Sequence, residues 1–342
     1  MHRSIMWTLA ASMFALSSIA APAQTNAFYQ GKTIQLIVPF SPGGYYDVSS
    51  RLLAKYLPRE IQGQPTIVVQ NQPGGGGLTA ANRLANSIPR DGLSIAAIGR
   101  GIPQLALLKE PGILFDPLQL TWLGSLSDFS HDAHLLVVNQ SSKVRSTDDA
   151  KRLSLHLGGG AAGSTNITFA RLARDLFGFN VEVVRGFPGS NDIWLAMERG
   201  EVDGQLADLS GIMTARSESW RDGKLRPLIQ FGRRDRLPSL QDVPTGRELA
   251  SSIEDLALLQ FAEIPFFMSL AFAAPPAVPD ERAQSLRAAF MKVARDPEFV
   301  KDMSRAGIAV DAVDGDAVMA VLEAGALTSA KVKERFARLL KD

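Results

Sequence analysis

Residues 33–56 read TIQLIVPFSPGGYYDVSSRLLAKY, and they contain three signals in succession. The β-branched run 33–40 predicts a strand, because such residues favour extended backbone. The turn residues 41–44, SPGG, then end that strand. Val48, Leu52 and Tyr56 follow at helical spacing on one face, which predicts a helix. This order of strand, glycine turn and helix is typical of an α/β fold.

The same alternation continues along the chain. Helices are predicted at 78–87, 164–177 and 191–199, with a helix start at 147–152, between strands at 66–70, 94–98, 134–138, 153–157, 181–184, 202–206 and 225–231. The last third is more helical, with starts at Pro279 and Asp296 and a long helix over 315–340, broken near Gly325. Such alternation predicts mostly parallel sheets. Because the pattern restarts near residue 134, we expect two α/β lobes around a cleft.

The N-terminus predicts export. His2 and Arg3 precede an uncharged, mostly apolar run, and residues 21–23, APA, form a cleavage pattern before Gln24. Residues 1–23 are therefore interpreted as a secretory signal peptide, although an N-terminal anchor helix is the alternative. We expect the remaining chain to be soluble and periplasmic.

Composition excludes several classes of function. The 342 residues contain no cysteine, which removes disulfides, thiolate metal sites and thiol nucleophiles. The formal charge of +1 gives no basic excess for nucleic-acid binding. Of the four histidines, His131 and His134 are spaced i, i+3, but no third ligand is identifiable, and we predict neither a metal nor a cofactor.

Glycine-containing loops follow several of the predicted strands, at 41–44, 74–77, 158–163 and 186–190. Each can expose backbone N–H groups at a helix N-terminus, where the helix dipole favours an anion. In open α/β sheets, ligands bind at the carboxyl ends of the strands. Loops meeting there predict a carboxylate or phosphate site, although any one of them could simply be a tight turn.

Two enzymatic interpretations stay open from the residues. Residues 158–163, GGGAAG, match the dinucleotide fingerprint G-x-G-x-x-G, and Arg185 after the next strand is compatible with NADP. The mid-chain position and the predicted export disfavour an NADP-binding oxidoreductase. A secreted α/β enzyme would need a nucleophile and a base, and His156 is the one suggestive imidazole.

The chain resembles a known family along most of its length. Several stretches are similar, in this order, to the Bug family of tripartite tricarboxylate transporter receptors. They are IQLIVPFSPGGYYDVSSR (34–51), VVQNQPGGGG (68–77), PRDG (89–92), WLGS (122–125), GSND (189–192), AMERGEVDG (196–204), GKLRPLIQFG (223–232) and SLQDVPT (239–245). The resemblance implies a type II periplasmic binding protein that delivers a small carboxylate to membrane subunits of the transporter. It also implies a non-catalytic protein, which we expect to be a monomer.

The resemblance also implies lobes and ligand-binding positions. One lobe would comprise 24–135 and 264–342 and the other 136–263, with hinges near 133–139 and 263–270. Departures from the family occur at Tyr45 and Tyr46, where small residues are common, and at Asp208, an uncertain match to an Asp-Asn pair. The implied ligand-binding residues are Ser41, Pro42, Gly43, Gly44, Tyr45, Tyr46, Asp47, Arg100, Gly101, Ile102, Ala162, Gly163, Ser164, Thr165, Asn166, Gly189, Ser190, Asn191 and Asp208.

Three of these positions carry specific expectations. Backbone N–H groups beside Gly43 and Gly44 should grip one carboxylate of the ligand. Arg100 should face the cleft mouth, and surface pairing with Glu110 or Asp91 is its alternative. The two tyrosines are about 100° apart on a helix, so we expect one to face the ligand while the other packs, unless both pack.

Overall fold

The computed structural model describes residues 28–160, 164–187 and 190–341. The predicted signal peptide lies outside these residues. The strands are β1 (Thr33–Val38), β2 (Thr66–Asn71), β3 (Ser94–Ile98), β4 (Thr121–Ser125), β5 (His134–Asn139), β6 (Leu155–Gly158), β7 (Val181–Val184), β8 (Gly204–Asp208), β9 (Leu225–Phe231), β10 (Ala271–Ala274) and β11 (Val313–Asp314).

Helices cover both sheets and form most of the C-terminal third. They are α1 (Tyr45–Glu60), α2 (Leu78–Asn86), α3 (Ile102–Leu107), α4 (Thr147–Arg152), α5 (Thr165–Phe177), α6 (Ser190–Arg199), α7 (Leu209–Ala215), α8 (Ser217–Arg221), α9 (Gly246–Leu249), α10 (Ile253–Phe267), α11 (Asp280–Ala294), α12 (Pro297–Arg305), α13 (Gly315–Ala326) and α14 (Ala330–Lys341).

The strands form two separate sheets. The first has the order β11-β4-β10-β3-β1-β2, and the second has the order β7-β6-β8-β5-β9. β1 pairs in parallel with β2 and β3, and β6 pairs in parallel with β7 and β8. β5 runs antiparallel between β8 and β9. Both sheets are therefore mixed: most strands of each sheet run in one direction, with β10 and β11 reversed in the first and β5 in the second, although only four of the nine strand pairs in the described residues are parallel. The predicted α/β fold class is confirmed.

The first sheet contains strands that the sequence patterns did not predict. β10 runs antiparallel between β3 and β4, although it lies about 150 residues after β4 in the chain. β4 and β10 are short and buried along their whole length, so neither shows the alternation of a half-buried strand. β3, β7 and β9 have the predicted bounds, and the long C-terminal helix is interrupted after Ala326, beside the predicted break at Gly325.

Helix α1 brings the N-terminal loop of the first sheet into position. Its buried apolar residues are Leu53, Tyr56 and Leu57, whereas Val48 and Leu52 are half-buried. The predicted apolar face is therefore shifted by one residue. The shift follows from packing, because α1 lies against β2 as well as α11 and α12 and so buries a wider face.

The chain passes between the sheets twice, and we call these segments the two crossings. It leaves the first sheet at Ser125 and enters the second at His134, so the first crossing, 126–133, lies mostly before the predicted hinge at 133–139. It returns through 232–270, which includes α9 and α10. None of the helices in the described part of the chain combines the length and apolar character that a membrane crossing needs.

Candidate ligand-binding site

A cavity of about 830 Å³ lies between the two sheets. Loops that follow β1, β2 and β3 line one side, and the end of β8 together with the first turns of α5 and α6 lines the other. These are the carboxyl ends of parallel strands, where ligands bind in open α/β sheets. Aromatic side chains contribute to both sides: Phe40, Tyr45, Tyr46, Phe129 and Trp194.

Arg100 faces this cavity and forms an ion pair across it. Its Nη1 atom lies 3.4 Å from Oδ2 of Asp208, so the pair joins the loop after β3 to the end of β8. The Arg100 side chain is 25% exposed and that of Asp208 is 29% exposed. The guanidinium also lies 5.2 Å from the centre of the Phe266 ring, within cation–π range. The alternative partners Glu110 and Asp91 are not the ones it takes in this structure.

His134 completes a chain of polar groups at this ion pair. Its Nδ1 atom lies 2.6 Å from Oδ1 of Asp208, whereas its buried Nε2 atom has no hydrogen-bond partner among the described residues. The imidazole packs between the rings of Phe169 and Phe266. His134 thereby fixes the orientation of Asp208, which leaves the other carboxylate oxygen directed to Arg100.

The charges shift one another's pKa values. Burial alone would raise the pKa of Asp208, but Arg100 and the hydrogen bond from His134 outweigh burial and hold it well below its usual range. Burial likewise acts to lower the pKa of Arg100, but Asp208 and the neighbouring tyrosines keep it above its usual value. Arg100 and Asp208 are therefore both charged at neutral pH.

Asp132 adds a second carboxylate to the cavity wall. Its oxygens accept hydrogen bonds from the Ser210 hydroxyl at 2.6 Å and from the backbone N–H groups of Ala133 and Ser210. Burial, followed by the nearby charge of Asp208, raises the pKa of Asp132. The residue lies at the end of the first crossing, so it links the cavity to the segment between the lobes.

Tyr45 and Tyr46 both line the cavity, but they differ in their surroundings. The Tyr46 hydroxyl donates to the carbonyl of Ser269 at 3.1 Å and accepts from the backbone N–H of Arg100 at 2.9 Å. Its ring packs on Phe40 with centroids 4.7 Å apart. Tyr45 is 44% exposed and contacts Tyr46 edge-on. Tyr46 thus anchors the wall, and Tyr45 is free to contact a ligand.

The glycine turn before α1 is arranged differently from the sequence expectation. The N–H of Gly43 donates to Oδ2 of Asp47 at 2.8 Å, and that carboxylate also accepts from Arg51 and Asn71. The hydrogen bonds from Arg51, Gly43 and Asn71 outweigh burial and lower the pKa of Asp47 to about 2. Asp47 therefore fixes the turn from inside. The exposed residues Ser41, Pro42, Gly43 and Gly44 lie outside the cavity lining, as does buried Asp47.

The second glycine loop contributes to the cavity, although it was not among the residues singled out as ligand-binding. Gly75 and Gly76 line the wall, and the backbone of 74–77 has positive φ at every residue. Residues other than glycine rarely adopt that backbone conformation, so this turn requires the sequence GGGG. A Cβ on Gly77 would also lie only 3.3 Å from Cβ of Pro39. The loop can therefore approach the β1 end closely.

The remaining predicted residues divide into two groups. Gly101 and Ile102 line the cavity beside Arg100, and Thr165, Asn166, Ser190 and Asn191 line it from the first turns of α5 and α6. Ser164 lies beside that wall, and its hydroxyl donates to Oδ1 of Asn166. Ala162, Gly163 and Gly189 lie outside the described residues.

Sequence reasoning missed Asp132, His134, Ser210 and Trp194 as parts of the cavity. The signal is present in HDAH at 131–134, but the histidine spacing there indicates only an incomplete metal site. Its two imidazoles diverge, because His131 is exposed and contacts Asp311 whereas His134 is buried. In residues 28–160, 164–187 and 190–341, no three or more His, Cys, Asp or Glu side chains form a group that could hold a metal ion.

His156, on which the enzymatic alternative depended, lies away from the cavity. Its imidazole is 43% exposed and sits between Asp203 and Glu182, at 3.3 and 3.4 Å. It is not part of the cavity lining. The cavity therefore presents an arginine, two aspartates, polar loop residues and aromatic rings, which suits reversible binding of a small polar molecule.

Comparison with known proteins identifies the family. The pattern of the tripartite tricarboxylate transporter family receptors matches residues 50–334. The chain belongs to this receptor family. The family is one of solute-binding receptors rather than enzymes, as the sequence resemblance implied. The BugT protein of Bordetella pertussis is 30% identical to this receptor over 69% of the chain and 71% of BugT.

Solved structures support the same fold. A TctC solute-binding protein from Polaromonas, solved without ligand, superposes with a TM-score of 0.68 at 20% identity, covering 92% of this receptor and 99% of that protein. An R. palustris protein solved with adipate superposes with a TM-score of 0.60 at 21% identity, covering 91% of this receptor and 97% of that protein. The expected architecture of a periplasmic binding protein is thereby confirmed.

Proposed function

We propose that this receptor binds a small organic carboxylate in the cavity between its sheets and delivers it to the membrane subunits of a tripartite tricarboxylate transporter. The observation that carries the proposal is the Arg100 guanidinium, which is charged, partly exposed and placed in the cavity wall. An arginine in such a site forms strong charge-assisted hydrogen bonds to a carboxylate. The adipate held by the R. palustris protein of the same fold supports a carboxylate ligand.

The polar first turns of α5 and α6 would hold the other end of the ligand. Thr165, Asn166, Ser190 and Asn191 offer hydroxyl and amide groups on the side opposite Arg100. Both helices are longer than two turns, so their dipoles favour an anion at these ends. The ligand would therefore contact both lobes at once, and binding would favour a closed cleft.

The lobe boundaries and the cellular location belong to the same proposal. One lobe comprises 24–135 and 264–342, and the other comprises 136–263, which places the first boundary inside β5 and the second inside α10. Residues 1–23 would direct export and be removed, so that the receptor works as a periplasmic monomer. The proposal includes no cofactor. It also includes no nucleic-acid partner, because the near-zero net charge gives no basic excess for nucleic-acid binding.

A ligand screen tests the proposal. The purified chain would be heated with a panel of mono-, di- and tricarboxylates, and each acid that raises the melting temperature would be titrated by calorimetry. We expect at least one acid to bind and to be recovered chemically unchanged after long incubation. Turnover of a panel acid would favour an enzyme, and the absence of any binding would overturn the proposal.

A further inference from the structure

The positive charge of Arg100 already has a partner in the cavity wall. Asp208 lies on the opposite sheet, and its Oδ2 atom is 3.4 Å from the Arg100 guanidinium. The side chains are 25% and 29% exposed, so each still presents part of its surface to the cavity. A ligand that enters here meets an ion pair with both signs of charge rather than a lone cation.

Around Arg100, the balance of charged side chains disfavours a ligand with only negative groups. In the described lining, the single arginine stands against two aspartates, Asp132 and Asp208. Residues 161–163 and 188–189 are alanine, glycine and proline, so the sequence adds no charge there. A dicarboxylate would bring two further negative charges to a wall that already has more acidic than basic groups. Like charges in a site of low dielectric repel strongly.

We infer that Arg100 and Asp208 act together and bind a ligand that carries an ammonium group next to its carboxylate, as an α-amino acid does. This inference rests on the proposed carboxylate-binding function and specifies its ligand. Bonds of about 1.5 Å from nitrogen to Cα and from Cα to the carboxyl carbon keep the two charged groups adjacent. The ligand's carboxylate can then face Arg100 while its ammonium faces Asp208, without separating the ion pair.

The surroundings of Asp208 fit this role. His134 binds its Oδ1 atom at 2.6 Å, which holds the carboxylate in place while Arg100 also contacts a ligand. Tyr45, Trp194 and Phe129 supply aromatic surface to the same cavity. Such rings attract an ammonium group and bury the apolar body of a larger ligand. The cavity therefore favours a bulky zwitterion over a short, doubly charged acid.

A competing arrangement gives the opposite ligand preference. A simple carboxylate could displace Asp208 from Arg100 and leave Asp208 bound to His134 alone. In that case an acid without an amino group would bind as well as its amino counterpart, or better. The two arrangements are separated by comparing molecules that differ only in the amino group.

Three matched pairs provide that comparison by calorimetry on the purified chain: L-phenylalanine with hydrocinnamate, L-leucine with isocaproate, and L-glutamate with glutarate. We expect at least one amino acid to bind about tenfold or more tightly than its partner, the fold-change of one charge-assisted hydrogen bond. Equal or tighter binding by the acids without an amino group would overturn the inference while leaving the carboxylate function intact. If no member of any pair binds, this inference fails, and the wider carboxylate panel decides the proposed function by itself.

A substitution at Asp208 gives a second, independent test. Asp208→Asn removes the negative charge but keeps an oxygen for the hydrogen bond from His134. It should weaken binding of the amino acid and strengthen binding of its partner, so the preference should fall to about threefold or less. Asp222→Asn, at an exposed residue paired with Lys224, is the matched control and should keep the native preference. An unchanged preference in folded Asp208→Asn would contradict the inference.

Discussion

Replacing Arg100 with alanine removes the guanidinium from the cavity wall while leaving its loop in place. The backbone N–H of Arg100, which the substitution retains, still donates to the Tyr46 hydroxyl. A hydrogen bond to a charged group contributes about 1.5–3 kcal/mol. At about 1.4 kcal/mol per tenfold change, the dissociation constant of the bound carboxylate should rise about 10- to 150-fold.

The structure places the expected effect toward the upper end of that range. Without Arg100, Asp208 keeps its hydrogen bond to His134 but loses its ion-pair partner. Its negative charge then repels a carboxylate that enters the cavity. The loss of attraction and the added repulsion act in the same direction.

Calorimetric titration measures this change with the panel carboxylate that binds the native chain most tightly. Arg236→Ala is the matched control, because Arg236 is paired with Glu248 and lies outside the cavity lining. It should leave the dissociation constant unchanged. A dissociation constant for folded Arg100→Ala within about twofold of the native value would refute a ligand contact by Arg100.

The other predictions concern the walls, the fold and the motion of the cleft. Tyr45→Ala should weaken binding of bulky carboxylates with little change in melting temperature. Tyr46→Ala should instead lower the melting temperature, because the Tyr46 hydroxyl joins two backbone segments. If both variants lowered the melting temperature equally and kept the native affinity, a ligand contact by Tyr45 would be contradicted. Asp47→Ala should lower the free energy of unfolding in urea by about 1.5–3 kcal/mol, because it removes the charged acceptor of the part-buried hydrogen bonds from Gly43 and Asn71. Burial raises the pKa of Glu263 from 4.5 to about 7, despite the opposing effect of Arg247, so the folded chain holds a proton that the unfolded chain releases. The unfolding free energy should therefore fall as the pH rises from about 4.5 to about 7, and Glu263→Gln should remove that part of the pH dependence. Ligand binding should also reduce the radius of gyration in small-angle scattering, by closure at the two crossings; an unchanged radius would count against closure.

Local patterns in the sequence predicted much of the fold. β1, α1, β3, β7 and β9 each carry their signal within a few residues, as β-branched runs or apolar side chains at helical spacing. β10 could not be placed in this way, because its position between β3 and β4 depends on partners far away in the chain. Its four residues are buried on both faces, so they carry no alternation.

The candidate site shows the same limit. The sequence indicated that Arg100 follows a strand and faces the cleft, but its partner Asp208 lies 108 residues away on the other sheet. Asp47 illustrates the converse, since the family resemblance implied a ligand contact for it. Three hydrogen-bond donors around its carboxylate turn it inward instead. Which polar groups meet a ligand is decided by tertiary packing, which residue spacing does not specify.

The proposed function requires that this receptor holds a carboxylate between its two sheets at Arg100. A crystal structure of the chain with its tightest-binding panel carboxylate tests it most directly. We expect a ligand carboxylate oxygen to lie about 2.7–3.2 Å from the Arg100 guanidinium, with the rest of the ligand against Tyr45 and the first turns of α5 and α6. A ligand bound outside this cavity, or bound inside it without touching Arg100, would contradict the proposed role of Arg100.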